Sequence, residues 1–470
     1  MISVSHSMFK QLLALIFFLV IALTVGMMLT QFSSRTMISL ALGLTLFIVS
    51  FIKTELGLYL LVFSMLLSTE FIVGTAGGEV AQRGGVTVRL DDFLLLVIGA
   101  SWFAKTAINK ELGLFLKTPL NKPIFFYLIA CLFSTSLGIM GERVDAKVGF
   151  FYVLKYFEYF IVYFMMVNHL ENREQINRFL FCLFVTCFIV AIYGMMQIPA
   201  GGRVTAPFEG EAGEPNTFGG YLLFVGAVAV GLFPKIEDSR AKIFLGILIV
   251  TIIPPLLYTQ SRSTYLAMIP ASLYLIFRST RRVILIGLMI SILLLSPFLL
   301  PKAVIDRIKF TVSQAERAGQ IKLGDIRLDT SLSARLSSWE KAALGMIQRP
   351  VFGYGVTGFG FIDAQYLRVL VETGAVGFVV FMYLVISIFK LAIQTSRQVL
   401  TPYYKGLVAG FMAGYIGLLF HAIGANTFII VRIMESFWLV AAIIFALPAV
   451  DSRQYYAGLQ QPPSLKTAQA

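Results

Sequence analysis

Apolar residues dominate this chain and fall into runs of bilayer length that are separated by short polar connections. A transmembrane helix needs about 17–25 consecutive, mostly apolar residues. The pattern predicts twelve to fourteen spans, of which the runs at 37–52 and 264–277 are the shortest. We therefore expect an all-α, polytopic transmembrane bundle with spans near 12–30, 37–52, 56–74, 92–108, 123–140, 149–169, 179–199, 217–233, 243–260, 264–277, 283–300, 369–391, 406–422 and 435–449.

One long polar stretch, residues 301–363, interrupts this pattern before the last spans. In its first part, 303–328, apolar and polar residues alternate in the pattern of one or two amphipathic helices. A second helix is predicted from Arg335 to Met346, because apolar residues recur there at helical spacing. Pro350 should end this helix, and a flexible turn should follow at Gly353, Gly355, Gly358 and Gly360.

These features divide the chain into five regions. They are N-terminal spans at 1–200, spans with short arginine-bearing connections at 201–300, the large loop at 301–363, C-terminal spans at 364–449 and a polar tail at 450–470.

The composition agrees with a membrane protein, since 58% of the residues are hydrophobic and only 13% are charged. The net charge of +13 is explained by the excess of Lys and Arg that cytoplasmic loops carry. Alternate connections hold nineteen and eight basic residues, which predicts that both termini are cytoplasmic and that the large loop lies outside. No basic patch is interleaved with aromatic residues, so a nucleic-acid partner is not expected.

The three cysteines lie inside apolar runs and are interpreted as small buried hydrophobic residues rather than as disulfides. The three histidines are far apart in the sequence, so we expect no zinc site. The first apolar run is too long for the core of a signal peptide and is interpreted as an uncleaved span.

Two isolated arginines, Arg203 and Arg262, lie at the outer ends of predicted spans. A guanidinium group matches the oxygens of a phosphate and keeps its charge, so both are candidates for binding a diphosphate. The alternative is that both side chains extend to lipid headgroups, as arginines at span ends commonly do.

Three residues are candidate bases for activating a hydroxyl group. Asp363 lies where the large loop meets the next span, and its alternative role is that of a helix N-cap. Glu372 lies four residues after Arg368, so an ion pair on one helix face is its default role. His421 lies near the outer end of a span, where it could instead bond a neighbouring helix.

The order of several short motifs resembles the O-antigen ligase and O-antigen polymerase superfamily. The matching residues are Arg203, Pro215, Asn216, Tyr221 and Leu222; Ser261, Arg262 and Ser263; Arg335 and Trp339; Pro350, Gly353 and Gly355; and Tyr366, Leu367, Glu372, Gly374 and Gly377. The resemblance covers about 200–380, and the large outer loop is consistent with it.

The resemblance implies a glycosyltransferase on the periplasmic face of the bacterial inner membrane. Its donor would be a glycan on undecaprenyl diphosphate, and neither a metal nor another cofactor would be needed. Arg203 and Arg262, together with Arg335, would bind the diphosphate. Many relatives have a histidine at the position of Asp363, so Asp363 is the expected base for the acceptor hydroxyl, with Glu372 or His421 as replacements.

The first functional hypothesis is therefore an inverting polymerase that joins lipid-linked repeat units into a surface polysaccharide. The second is a ligase that moves a finished glycan to lipid A core or to a protein. A transporter of lipid-linked glycans also fits the number of spans, although the clustering of charge on one side argues against it. A chain-length regulator or a flippase is the expected protein partner.

Overall fold

The computed structural model describes residues 34–68, 70–72, 87–108, 117–207, 213–299, 301–314, 320–323 and 326–460. The predicted span at 12–30 and the tail beyond 460 lie outside the described residues.

Fifteen α-helices follow one another along the described residues. They are α1 (Ser34–Ile52), α2 (Thr54–Leu67), α3 (Leu90–Ile108), α4 (Asn121–Met140), α5 (Ala146–His169), α6 (Arg173–Gln197), α7 (Pro215–Leu232), α8 (Ser239–Tyr258), α9 (Arg262–Arg278), α10 (Arg282–Leu299), α11 (Lys302–Ser313), α12 (Thr330–Gln348), α13 (Gln365–Gln398), α14 (Pro402–His421) and α15 (Val431–Gln460). Two short antiparallel pairs join β1 (Glu70–Ile72) to β2 (Thr87–Arg89), and β3 (Lys322–Leu323) to β4 (Ile326–Arg327).

The all-helical prediction is confirmed, and every predicted span from 37–52 onward coincides with a helix. One prediction runs too long: the span at 56–74 ends as a helix at Leu67, and β1 follows it. Eight helices in the described residues are long and apolar enough to cross a bilayer: α4, α5, α6, α7, α8, α13, α14 and α15.

Among the described residues, helices α7 and α14 form the most extensive helix-to-helix contact. A Cβ atom added to Gly231 would lie 2.4 Å from the Cα of Gly410, and one added to Gly410 would lie 2.8 Å from the carbonyl oxygen of Ala227. Small residues permit such close approach of backbones, which is a main source of helix association in membranes. Helix α14 also packs on α9, and α15 packs on α5, so the C-terminal helices lie at the centre.

Buried charges connect the N-terminal helices. Lys155 of α5 lies 3.2 Å from Glu158 and also bonds Asp92 of α3. Because a charge inside a helical bundle is costly unless it is paired, this contact holds α3 against α5.

Helix α13 is broken at Gly374, although the predicted span at 369–391 includes this position. Gly374 has a φ of 67° and a ψ of −172°, which divides the helix into two parts. The break leaves backbone groups without partners inside the helix, and the turn after α12 provides those partners. Tyr354 and Gly355 donate to the carbonyl groups of Val371 and Glu372 at 3.0 and 2.8 Å.

The same turn also accepts hydrogen bonds from the second part of α13. Ala375 and Val376 donate to the carbonyl groups of Pro350 and Val351 at 2.8 and 3.2 Å. Ser134 of α4 closes the arrangement, because its hydroxyl lies 2.6 Å from the carbonyl oxygens of both Phe352 and Glu372. The glycine-rich segment was predicted as a flexible turn, but it is held by backbone bonds on both sides of the break.

The ion pair predicted between Arg368 and Glu372 is present, with Nε and Oε1 3.0 Å apart. Glu372 Oε1 also accepts a hydrogen bond from the backbone N–H of Thr357 at 3.0 Å. Glu372 therefore joins the first part of α13 to the glycine-rich turn.

We predict that Gly374→Ala destabilises the protein by about 2 kcal/mol or more, because it combines a left-handed backbone with a clash. An added Cβ would lie 2.2 Å from the carbonyl oxygen of Val351. Gly360→Ala is the matched control, since Gly360 has a φ of 95° but no atom within 4 Å of the added Cβ. Thermal unfolding in detergent measures both, and equal losses for the two variants would contradict the proposed packing of the turn.

Candidate active site

The Ser-Arg-Ser motif forms the first turn of α9. The hydroxyl of Ser261 accepts a hydrogen bond from Thr264 N–H at 3.3 Å and so caps the helix. The hydroxyl of Ser263 donates to the carbonyl of Gly424 at 3.1 Å. Between them, Arg262 extends to Asp329, with Nη1 and Oδ2 2.9 Å apart. The two serines therefore fix the helix end from which Arg262 projects.

Arg203 is held beside this turn by neutral groups. Its Nε donates to the carbonyl of Thr259 at 2.9 Å, and its Nη2 donates to the Asn216 side chain at 3.3 Å. Asn216 lies in the first turn of α7, directly after Pro215. The arginine and the Pro-Asn pair of the motif are thus one structural unit. The bond to Thr259, three residues before Arg262 in the sequence, places Arg203 beside the capped end of α9.

Arg335 and Trp339 of α12 both face the segment that leads into α13. Nε and Nη2 of Arg335 donate to Oδ2 of Asp363 at 3.2 and 2.8 Å. One turn later, Trp339 packs against a small apolar cluster that includes Ile362 and Ala364. The apolar contact on each side of Asp363 sets the position of its carboxylate.

The loop between α14 and α15 closes the site from the side. A Cβ added to Gly424 would lie 2.6 Å from Ser263 Oγ and 3.6 Å from Arg335 Nη1, so α9 and α12 meet there. The side-chain amide of Asn426 donates to the carbonyl of Ile362 at 2.7 Å. Gln365, which begins α13, donates its N–H to the carbonyl of Ala422 at 3.0 Å.

We call Arg203, Arg262, Arg307, Arg335, Asp329 and Asp363 the arginine cluster. Burial, together with the positive charges of Arg307, Arg262 and Arg335, lowers the pKa of Arg203 to about 10. Burial also lowers the pKa of Arg307, and the charges of Arg262 and Arg335 add to this effect. The cluster therefore concentrates positive charge that its own two carboxylates balance only in part.

Three helix N-termini also point to this region, those of α7, α9 and α12. The first N–H groups of a helix carry partial positive charge and attract anions. At α12 the side chain of Asp329 already occupies this position, because Oδ1 accepts a hydrogen bond from Leu332 N–H at 2.8 Å. Asp329 therefore caps one helix while it holds Arg262.

The three candidate bases lie in different surroundings. Asp363 belongs to the arginine cluster, and 27% of its side chain is exposed. Glu372 is 2% exposed and is occupied by Arg368 and the Thr357 N–H. His421 is fully buried, with Nδ1 2.8 Å from the Thr427 hydroxyl, and its ring packs against α7 at Gly220.

The structure thus brings together Arg203, Arg262, Arg335 and Asp363, which the sequence proposed as separate candidates. It does not bring Glu372 to them. Sequence reasoning missed Asp329 and Arg307. Asp329 carried one signal, since Asp directly before a helical pattern is a typical N-cap.

The chain was also compared with known families and proteins. Residues 243–382 match the family model Wzy_C, described as O-antigen ligase. This segment is similar to the O-antigen ligase domain family. It runs from α8 into α13 and contains Arg262, Arg307, Arg335 and Asp363, whereas Arg203 precedes it. The resemblance noted from the motifs is confirmed for this part of the chain. No curated protein matches the chain.

We predict that inorganic pyrophosphate raises the thermal unfolding midpoint of the detergent-solubilised protein, because a bound anion offsets the partly uncompensated charge of the arginine cluster. Arg203→Gln should weaken the apparent affinity for pyrophosphate about tenfold, as expected for the loss of one charge-assisted contact. Arg240→Gln is the control, since Arg240 is exposed at the start of α8, outside the cluster.

As a control, the unfolding midpoint is also measured in sodium chloride at the same ionic strength as the pyrophosphate, which separates specific anion binding from the screening of charges. An equal midpoint shift in the wild type and in Arg203→Gln would remove Arg203 from the anion site.

Proposed function

We propose that this protein is a bacterial surface-polysaccharide polymerase. It transfers a glycan from undecaprenyl diphosphate to a sugar hydroxyl at the periplasmic face of the inner membrane. The observation that carries the proposal is the arginine cluster, in which the guanidinium groups lie around Asp363 and every member except Arg203 lies in the segment that matches the O-antigen ligase family. The apolar helices around the site would hold the lipid tail of the donor within the bilayer.

The arginines suit the diphosphate of such a donor. A diphosphate esterified at both ends carries one negative charge on each phosphate group. Within the arginine cluster, four guanidinium groups and two carboxylates leave a balance of two positive charges, so the donor would neutralise the site. As the bond from the sugar to the diphosphate breaks, the leaving oxygen gains negative charge that nearby arginines stabilise.

Asp363 would activate the acceptor. The acceptor oxygen attacks the anomeric carbon, the bond from that carbon to the diphosphate oxygen breaks, and the configuration inverts. The hydroxyl proton passes to the Asp363 carboxylate, and undecaprenyl diphosphate leaves as the anion. Among the three candidate bases, the partly exposed Asp363 is the one with open access from solvent.

Arg335 would couple the two substrates. Two of its N–H groups bond Oδ2 of Asp363. A diphosphate competes for the same N–H groups, because arginine binds phosphate and carboxylate with the same planar fork. Donor binding would thereby release the carboxylate for the acceptor hydroxyl.

A ligase that moves the glycan to lipid A core or to a protein is the second candidate, because the same donor site serves both reactions. The acceptor then distinguishes them. Both reactions agree with cytoplasmic termini and with a flippase or a chain-length regulator as partner. A transporter would leave the pairing of Arg335 with Asp363 without a chemical role.

We predict that Asp363→Asn and Arg262→Gln each lower polysaccharide synthesis at least about a hundredfold in a strain that lacks the protein. General base catalysis by Asp363 contributes roughly 10²–10⁴ in rate, and loss of one group that stabilises developing negative charge, such as Arg262, costs roughly 10²–10³. Asp306→Asn and Lys341→Gln are the matched controls, since both residues are exposed and neither belongs to the arginine cluster. The measurements are the length distribution of the glycan and the amount of each variant in the membrane.

Accumulation of lipid-linked single repeat units in the two site variants would support the polymerase. Long glycans that remain on the lipid carrier would instead identify a ligase. Normal polymer from both inserted variants would exclude the proposed site.

A further inference from the structure

We propose that Arg307 of α11 is a fourth arginine that binds the donor diphosphate and selects it over a monophosphate. The proposal rests on the proposed function, because it adds a residue to the same donor site. Arg307 lies in the polar loop and belongs to none of the motifs that carry the family resemblance.

The face of α11 on which Arg307 lies is turned toward the protein. Val304 is 1% exposed, and Arg307 follows it by three residues, which places both on one side of the helix. Lys302, Asp306 and Lys309 are exposed on the other sides of the same helix. The side chain of Arg307 is therefore directed inward, unlike those of the two lysines.

The end of α11 is anchored at the arginine cluster. Gln314, directly after the helix, donates from Nε2 to the Thr330 hydroxyl at 3.3 Å and accepts from Thr330 N–H at 2.7 Å. Thr330 follows Asp329, the partner of Arg262. Arg307 and Gln314 are seven residues apart, which is two helical turns and about 10 Å on the same face. Helix α11 also contacts α8 and β4.

The guanidinium group of Arg307 retains capacity for a ligand. Its Nε is buried and has no hydrogen-bond partner among the described residues. Arg262 and Arg335 are paired with Asp329 and Asp363. Among the neighbouring charges that act on the pKa of Arg307, the positive charge of Arg262 acts most, followed by the opposing charge of Asp329 and then by the positive charge of Arg335. An unpaired donor in a field of like charge is stabilised by an anion.

Two arginines therefore lack a carboxylate partner within the cluster, Arg203 and Arg307. They are carried by different elements, the loop before α7 and helix α11. A diphosphate presents more oxygen atoms than a monophosphate, and these atoms extend over a greater length. We infer that Arg307 contacts the second phosphate group, so its loss should weaken diphosphate binding more than monophosphate binding.

The test uses the full-length protein in lipid nanodiscs, with undecaprenyl diphosphate and undecaprenyl monophosphate as probes. We expect the wild type to bind the diphosphate more tightly. Arg307→Ala should weaken diphosphate binding about tenfold or more and change monophosphate binding little. Lys302→Ala, which removes an exposed charge from the same helix, should match the wild type, and Arg307→Lys should recover part of the affinity.

The outcomes separate this inference from the function on which it rests. If Arg307→Ala binds the diphosphate as the wild type does while Arg203→Ala loses it, Arg307 is not part of the donor site. An equal loss for both probes would make Arg307 a general electrostatic residue and overturn its selectivity. If the wild type binds neither probe, the proposed donor site itself is wrong. Size-exclusion profiles of each variant exclude misfolding as the cause.

Discussion

The site depends on how the break in α13 is satisfied. A backbone break inside a transmembrane helix is tolerated only where other protein groups bond the freed N–H and C=O groups. Here the segment after Pro350 bonds the carbonyl groups before Gly374 and the N–H groups after it. Because this segment joins α12 to α13, the same bonds fix the distance between the two helices. Arg335 and Asp363, which lie 28 residues apart, meet as a result.

The arginine cluster shows a division between paired and unpaired cations. Arg262 and Arg335 each have a carboxylate partner that restricts the position of the side chain. Under the proposed function, such restriction would hold the arginines in place for a diphosphate and limit their rearrangement at the moment of reaction. Arg203 is held by a carbonyl and an amide instead, so it keeps its full charge for a ligand. The positive balance is an energetic cost in the empty protein that an anionic donor would remove.

Much of the helical framework could be predicted because apolar runs of bilayer length leave few alternatives. The motif residues Arg203, Arg262 and Arg335 could also be selected, as could Asp363. The pairing of Arg262 with Asp329 could not, since it joins a span end to a loop across 67 positions. The break at Gly374 could not be predicted, because it lies inside an apolar run of span length and hydropathy does not report backbone conformation. Arg307 was hidden among several basic residues of one loop.

The contact of Ser134 with this break has a consequence for biogenesis. Ser134 bonds the carbonyl of Glu372, which lies 238 residues later in the chain. At about 5–20 residues per second, synthesis of that interval takes roughly 12–48 s. During this time α4 is already made, but its partner segment does not yet exist. The contact between α4 and the break in α13 is therefore among the last to form, and a chain whose synthesis stops before Gly374 would contain the earlier helices without this contact.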